Sequence, residues 1–370
     1  MKKILLGTSA IAMVAASASA FAADPISLGI VGDTKFGLLL ADTDNDKQRS
    51  SNFVHSASID FKGSTTLDNG IAVAVKVDDD FKGADISFSG GFGTLALGDT
   101  DSASQRSDVN APSVAIGGGV DGADFKVDGL TKTVDGVGGD GPKAVYLNTV
   151  SGLTVALSYQ AGGESEADGT TTKAALENSA LLNHGDSEVA DVYSFGAKYA
   201  GDFGGSSVTI GGGYEKADLA TTPDTLAVGT GNITESTVMH FGASVGVDAV
   251  TIGAGYSKVE HDFSELTAKE NIEVVDSSTN WNIGASYAVD AISFSIAYGY
   301  GEDEEGRGAT GHGNEKTYST FEGAAAYDLG GGVSVSAAIA SVDVEDKLGA
   351  TADHTDKDTW YTTFMTKIAF

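Results

Sequence analysis

Val289 to Tyr298 reads VDAISFSIAY and Val247 to Tyr256 reads VDAVTIGAGY, two versions of one pattern set 42 residues apart. From Ile292 and from Val250 onward every second residue is apolar, each copy ends in tyrosine, and the residues between are only Gly, Ala, Ser and Thr. Alternation with a period of two puts alternate residues on opposite faces of a β-strand. One face is therefore greasy and the other small and wettable. The fold follows from what meets each face.

The pattern extends in both directions. TNWNIGASYAV (279–289) turns at Asp290-Ala291 into ISFSIAYGY, and similar hairpins read VMHFGASVGVDAVTIGAGY (238–256), VYSFGAKYAGDFGGSSVTIGGGY (192–214) and FEGAAAYDLGGGVSVSAAIA (321–340). Earlier ones are AVYLNTVSGLTVALSY (144–159), ADISFSGGFGTLALGD (84–99) and VHSASIDFKGSTTLDNGIAVAVKV (54–77). With a first strand at 26–41 and a last at 360–370 the sequence predicts sixteen, an even number. Tight turns alternate with longer connections at 42–50, 78–83, 99–143, 161–190, 216–236, 257–279, 301–316 and 341–358, which hold most of the acidic residues. Short turns on one rim and long loops on the other are the layout of a transmembrane β-barrel. A propeller also repeats at about 40–45 residues. Its blade needs four strands, whereas each unit here supplies two strands and a loop.

Composition narrows the class. The first residues, MKKILLGTSAIAMVAASASAFAADP, combine two lysines, an apolar run and Ala20-Phe21-Ala22, which predicts a secretory signal peptide over 1–22 and one β domain over 23–370. No later stretch is apolar for long enough to span a membrane as a helix. Fifty glycines and four prolines disfavour a helical protein. Without Lys2 and Lys3, 20 basic residues face 52 acidic ones, a formal charge of −32, so nucleic acid is not an expected partner. Export and zero cysteine exclude a disulfide framework and thiolate metal sites.

Three features orient the faces. The polar faces, such as Ser293, Ser295, Ala297 and Gly299, or His240, Gly242, Ser244 and Gly246, have little of the Lys and Glu of a solvated sheet. Rings gather at the ends of the apolar stripes: Tyr159, Tyr214, Tyr256, Trp281, Tyr298 and Trp360 toward the long loops, and Tyr199, Tyr287, Tyr327 and Phe370 toward the turns. Trp281 and Tyr287 stand about 20 Å apart at ~3.3 Å per residue, matching two aromatic girdles around an apolar band of about 25 Å. The last strand also carries Trp360, Phe364, Ile368 and Phe370 toward its end. The apolar side is expected to meet lipid and the small side water. Sixteen strands enclose an aqueous channel.

The chain resembles the general diffusion porins of Gram-negative bacteria, and most closely those of α-proteobacteria of the purple-bacterium type. FGTLALGDTDSAS (92–104) is similar to the family's fifth strand entering its constriction loop, AVYLNTVSGLTVALSYQAG (144–162) to the hairpin after it, and MTKIAF to its C-terminal assembly signal. The resemblance implies an all-β, 16-stranded antiparallel barrel with a long third loop in the lumen. It also implies a homotrimer in the outer membrane, in contact with lipid and lipopolysaccharide, and recognition by the assembly machinery through Phe370. Porins of this kind set arginines opposite an acidic third loop. Here only Arg49, Arg106 and Arg307 remain, and alternation turns Lys35, Lys62, Lys76, Lys198 and Lys367 toward the lumen instead.

The candidate site is the pore. In the longest loop, 99–143, Asp99, Asp101, Asp108, Asp121, Asp124 and Asp128 are the candidate constriction residues, and Val114, Ile116 and Phe125 would give it a wall to touch. DTDNDK (42–47) lacks the glycine and the distal glutamate of an EF-hand, and GVGGDG (136–141) is half a calcium repeat that never recurs. No resident cofactor is expected. Weak bridging of crowded loop carboxylates by calcium is the metal reading that stays open. Six scattered histidines and no G-x-S-x-G predict no catalytic site, and His240 reads as pore lining. The expected function is passive diffusion of ions and small hydrophilic solutes with cation preference. The alternative is an acidic, calcium-dependent surface adhesin or coat protein, whose polar strand face would be charged.

Overall fold

A computed structural model of the chain describes residues 26–43, 48–78, 84–116, 142–161, 188–220, 233–263, 275–305, 315–347 and 357–370. These form β1 (Ser27–Thr43), β2 (Gln48–Thr66), β3 (Ala72–Val77), β4 (Ala84–Gly90), β5 (Gly93–Gly98), β6 (Lys143–Val150), β7 (Leu153–Ala161) and β8 (Glu188–Phe203). The second half comprises β9 (Ser206–Ala220), β10 (Ile233–Val247), β11 (Val250–Phe263), β12 (Val275–Val289), β13 (Ile292–Glu305), β14 (Glu315–Gly330), β15 (Val333–Lys347) and β16 (Lys357–Ala369). Each strand pairs with its neighbours in sequence, and β16 returns to β1, so the sheet is a closed 16-stranded antiparallel barrel. The seam runs from Asp33 opposite Ala369 to Thr43 opposite Thr359. It is finished by two backbone bonds, Gly32 N–H to Phe370 O (2.9 Å) and Phe370 N–H to Gly32 O (3.0 Å).

Short turns hold the hairpins in register. Ser151-Gly152 and Gly204-Gly205 have positive φ at both positions, the backbone of a two-residue turn whose twist matches that of the flanking strands. Asp248 and Asp290 take the left-handed region at the corresponding corners, which aspartate tolerates better than most residues.

The two faces separate as the alternation requires. Leu157, Phe241, Ile252, Ile283, Ile296, Phe321 and Phe364 are all exposed on one face. Their neighbours in sequence, among them Ser158, Gly242, Gly253, Asn282, Ser295, Ala297, Glu322 and Thr363, lie on the other, and most of these are buried. Rings contact one another toward the long-loop end of the apolar face: Tyr159 with Tyr193 (centroids 5.3 Å apart) and Trp281 with Tyr298 (5.4 Å) and Tyr300 (6.0 Å). Tyr193 and Tyr300 are girdle members that the end-of-stripe reading misses.

The strands are longer than the alternation indicates. Segments 216–236, 257–279 and 301–316 read as loops, yet the ladder continues through Asp218 opposite Glu235, Glu260 opposite Ser277 and Thr279 opposite Glu302. Hydrophobic alternation is imposed only where one face meets lipid. Beyond the aromatic ring the backbone still pairs while the side chains turn charged, as in Lys216–Glu235 (2.6 Å) and Lys258–Glu260 (2.6 Å). Residues 1–22, with the expected signal peptide, lie outside the described residues.

Ile296 and Ser293 sit on opposite faces of β13, so they test which face meets lipid. Ile296→Lys should destabilise the barrel in vesicles by about 2–4 kcal/mol, the cost of lysine near the bilayer midplane. Ser293→Lys should leave the urea midpoint close to that of the parent. Equal losses would show that the faces are wrongly assigned.

Candidate functional site: a strap along the small-residue face

Between β5 and β6 the chain leaves the sheet, and residues 99–116 form a strap along the small-residue face of β7 to β15. Its start is fixed locally. Asp99 N–H bonds Ala84 O (3.2 Å), and Ser102 and Gln105 bond each other's backbone N–H with their side chains (2.8 and 3.3 Å) around a 3-10 turn, Gln105–Ser107. The Arg106 guanidinium folds back onto Asp101 O and Thr100 Oγ1.

From there the strap borrows hydrogen-bond partners from one strand after another. Ala103 N–H donates to Ser158 Oγ on β7 (3.0 Å) and Ser104 N–H to Ser194 Oγ on β8 (2.7 Å). Ala111 N–H donates to Asn282 Oδ1 on β12 (2.8 Å), Val114 N–H to Ser295 Oγ on β13 (3.0 Å) and Ile116 N–H to Ser336 Oγ on β15 (3.0 Å). Ser113 Oγ donates to Glu322 Oε1 on β14 (2.6 Å), and Lys198 Nζ on β8 to Asp108 O (3.0 Å). An extended segment without strand partners would leave its N–H groups unsatisfied when buried. The wall hydroxyls take that role.

Close approach also requires glycine. A Cβ added at Gly211 or Gly242 would fall far inside van der Waals contact with the carbonyl oxygens of Ser107 and Val109. On β1, a Cβ at Gly29 would meet nothing within 4 Å. The glycines under the strap therefore let two backbones touch, which corrects the reading of the small residues as room for water alone.

The expected constriction carboxylates divide three ways. Asp99 and Asp101 are exposed at the start of the strap. Asp108 lies over β10, with Asn110 Nδ2 donating to its Oδ2. Burial raises its carboxyl above the ordinary carboxylate range, against the hydrogen bonds from Asn110 and from Val109 N–H and the nearby Lys198 charge. Asp121, Asp124 and Asp128 lie outside the described residues, as do the DTDNDK core and GVGGDG. Among the described residues no group of three or more His, Asp or Glu is placed to hold a metal ion.

The basic residues fall on two walls. Lys35 stands opposite Lys367 across the β1–β16 seam and Lys62 opposite Lys76 across β2–β3, all on the small-residue face. Asp33 pairs with Lys367 (2.9 Å), and Asp60 lies 3.5 Å from Lys76 and 3.9 Å from Lys62. This wall is the part of the barrel that the strap does not follow. Lys198 is on the strap's side and is tied to its backbone. Arg49 belongs to β2.

His240 departs from its expected role as pore lining. Its side chain is fully buried beneath the strap, and its Nε2–H donates to Ser104 O (3.0 Å). Glu215 and Glu322 are buried there too. The signal for this seat was present as glycine concentrated on the polar faces of β9 to β12. Glycine reads equally as empty space, so the reading passed over it.

A family model described as Gram-negative porin matches residues 8–347. Among curated proteins there is no match. Of solved structures, OmpT, an outer membrane protein of Vibrio cholerae in its trimer form, is 16% identical with a TM-score of 0.58, covering 94% of this chain and 100% of that one. DcaP, an outer membrane channel of Acinetobacter baumannii, is 12% identical with a TM-score of 0.58, covering 93% and 97%. A third, described as a porin, is 18% identical with a TM-score of 0.54, covering 93% and 100%. At these identities the likeness is one of fold.

If the strap is seated by backbone contact, Gly242→Val should unseat it and Gly29→Val should not. Trypsin cleavage after Arg106 in the folded, detergent-solubilised protein should then be several-fold faster in Gly242→Val than in the parent, with Gly29→Val unchanged. Equal cleavage in all three would refute the seating.

Proposed function

The chain belongs to the Gram-negative porin family, and from that membership we propose a passive, water-filled, cation-preferring pore, narrowed by the strap and assembled as a homotrimer. Family and fold make it an outer-membrane channel for diffusion rather than an enzyme. The finer reading rests on one observation: among the described residues the strap is bonded along β7 to β15 and does not follow the wall that carries Lys35, Lys62, Lys76 and Lys367. The small-residue face is the lumen wall and the apolar face meets lipid and lipopolysaccharide, because in lipid every backbone group must pair and only a closed barrel offers no edge. Solutes pass between the strap and the lysine wall.

Cation preference follows from the charge balance. The formal charge of the whole chain is −30, and Asp33 and Asp60 already offset part of the lysine wall. Carboxylates near the long-loop mouth raise the local cation concentration. The function needs no cofactor. Residues 1–22 are the export signal, and the assembly machinery reads the last strand through Phe370, whose exposed ring sits over Gly32. The homotrimer is supported by the trimer form of the OmpT fold neighbour, and His55 breaks the apolar stripe beside the stacked Phe36 and Phe53.

Two measurements test this function. A reversal potential in a KCl gradient should show cation preference that weakens as the Debye length falls from about 10 Å at 0.1 M to 3 Å at 1 M; anion preference at low salt would contradict it. Replacing Pro112 to Val137 by a short Gly/Ser link should raise single-channel conductance. Neutralising Asp121, Asp124 and Asp128 to Asn should lower cation preference more than conductance. No change in either variant would remove this loop from the pore.

A further inference from the structure

The contact between β10 and the strap contains an arrangement that the pore itself does not require. His240 is buried with Nε2–H committed to Ser104 O, which leaves Nδ1 as the acceptor of a neutral imidazole. Nδ1 makes no hydrogen bond, and the nearest charged atom is Asp108 Oδ1 at 3.5 Å. With Asp108 ionised and His240 neutral, two acceptors face each other at a buried contact. One added proton on either atom turns the opposition into a hydrogen bond.

We propose that His240 and Asp108 form a one-proton clasp that fastens the strap to β10 and sets how long the strap stays seated. The proton comes from solvent, which Asp108 still reaches. It resides on Nδ1 as a charged pair or on Oδ1 as a neutral acid donating to Nδ1, and either form spans the gap. Bonds to ionised groups are the stronger kind.

The surrounding charges are few. β8 contributes Lys198, whose ammonium is held by Asp108 O, and β9 contributes Glu215, buried next to Ser194 and Val238 in the ladder. β11 presents Gly253, Gly255 and Ser257, which carry no charge. On the strap, Asn110 holds the other Asp108 oxygen, so the carboxylate cannot turn away without losing that bond. Glu215 favours a proton in this cluster and Lys198 opposes it. The sign follows from Asp108: burial raises its carboxyl in the seated strap, so the seated carboxyl keeps a proton that the released one gives up and its contribution to seating grows as pH falls, while the buried imidazole resists charge and leaves that proton on Oδ1. Seating should strengthen as the pH falls from 8 toward the raised carboxyl of Asp108.

The clasp rests on the strap being the pore's constriction only for its electrical readout. Open-channel noise in planar bilayers, which reports strap excursions, should drop as the pH of the parent protein is lowered from 8 to 5. The released population should fall by about tenfold, equivalent to ~1.4 kcal/mol. Asp108→Asn supplies a permanent Nδ2–H for Nδ1 and should be quiet at both pH values. His240→Gln keeps an N–H for Ser104 O but offers no ring nitrogen to a protonated Asp108, and its noise should change less with pH than the parent's. Heat-modified mobility on gels verifies that each variant is a folded barrel. A nitrogen-detected NMR titration of the His240 ring gives a readout independent of current: its midpoint should move in Asp108→Asn. Conducting variants that keep the parent's pH profile, with an unmoved ring titration, overturn the clasp and leave the pore intact. Parent noise insensitive to strap replacement overturns the constriction instead, and the ring titration then judges the clasp alone.

Discussion

Pairing of the backbone where water is absent governs the whole molecule. In hydrocarbon an unpaired N–H or C=O costs several kcal/mol, so a sheet that spans lipid must have no edge. The seam between β1 and β16, ended by the reciprocal Gly32–Phe370 bonds, meets that demand. Closure with every neighbouring pair antiparallel requires an even strand number, and it puts every strand's two faces against different surroundings. The alternation of large apolar with small residues is the sequence's record of that division.

The same demand reappears in the strap. A segment that leaves the sheet and lies against it must still satisfy its N–H groups, and β8, β12, β13 and β15 supply side-chain acceptors for this purpose. Glycine under the strap brings the two backbones within reach, and the buried acceptors hold them. The lysine pairs on β16 to β3 stand on the wall that residues 99–116 do not follow. Among the described residues, geometry thus separates a fixed, bonded side from a charged side that the strap does not follow, and the proposed pore lies between them.

Much of this was legible in the residues because lipid imposes a simple code. Ile292, Phe294, Ile296 and Tyr298 alternate with Ser293, Ser295 and Ala297, and no soluble-sheet pattern of Lys and Glu occupies the second set. Strand ends were less legible. Past Tyr300 and Tyr256 the ladder continues with Glu302, Glu304, Lys258 and Glu260, where neither face needs to be apolar and charge reads as loop. The strap's seat was hidden for another reason: Gly211, Gly242 and Ser295 signal a small surface, and a small surface serves water and a second backbone equally. His240 illustrates the difference, since its position on the polar face was plain and its burial under Ser104 depended on a segment more than a hundred residues earlier.

The central claim is that the strap is seated on this wall while the channel conducts. The chain has no cysteine, and Ala111 on the strap packs against Ala297 on β13 in one buried apolar contact, a side-chain approach of the kind a disulfide bridges. The measurement is single-channel conductance of the Ala111→Cys, Ala297→Cys double variant before and after oxidation. The account predicts that the disulfide forms readily and leaves the conductance unchanged, because the strap is already where the bond would hold it. Failure of the cross-link to form, or a conductance that falls when it does, would contradict it.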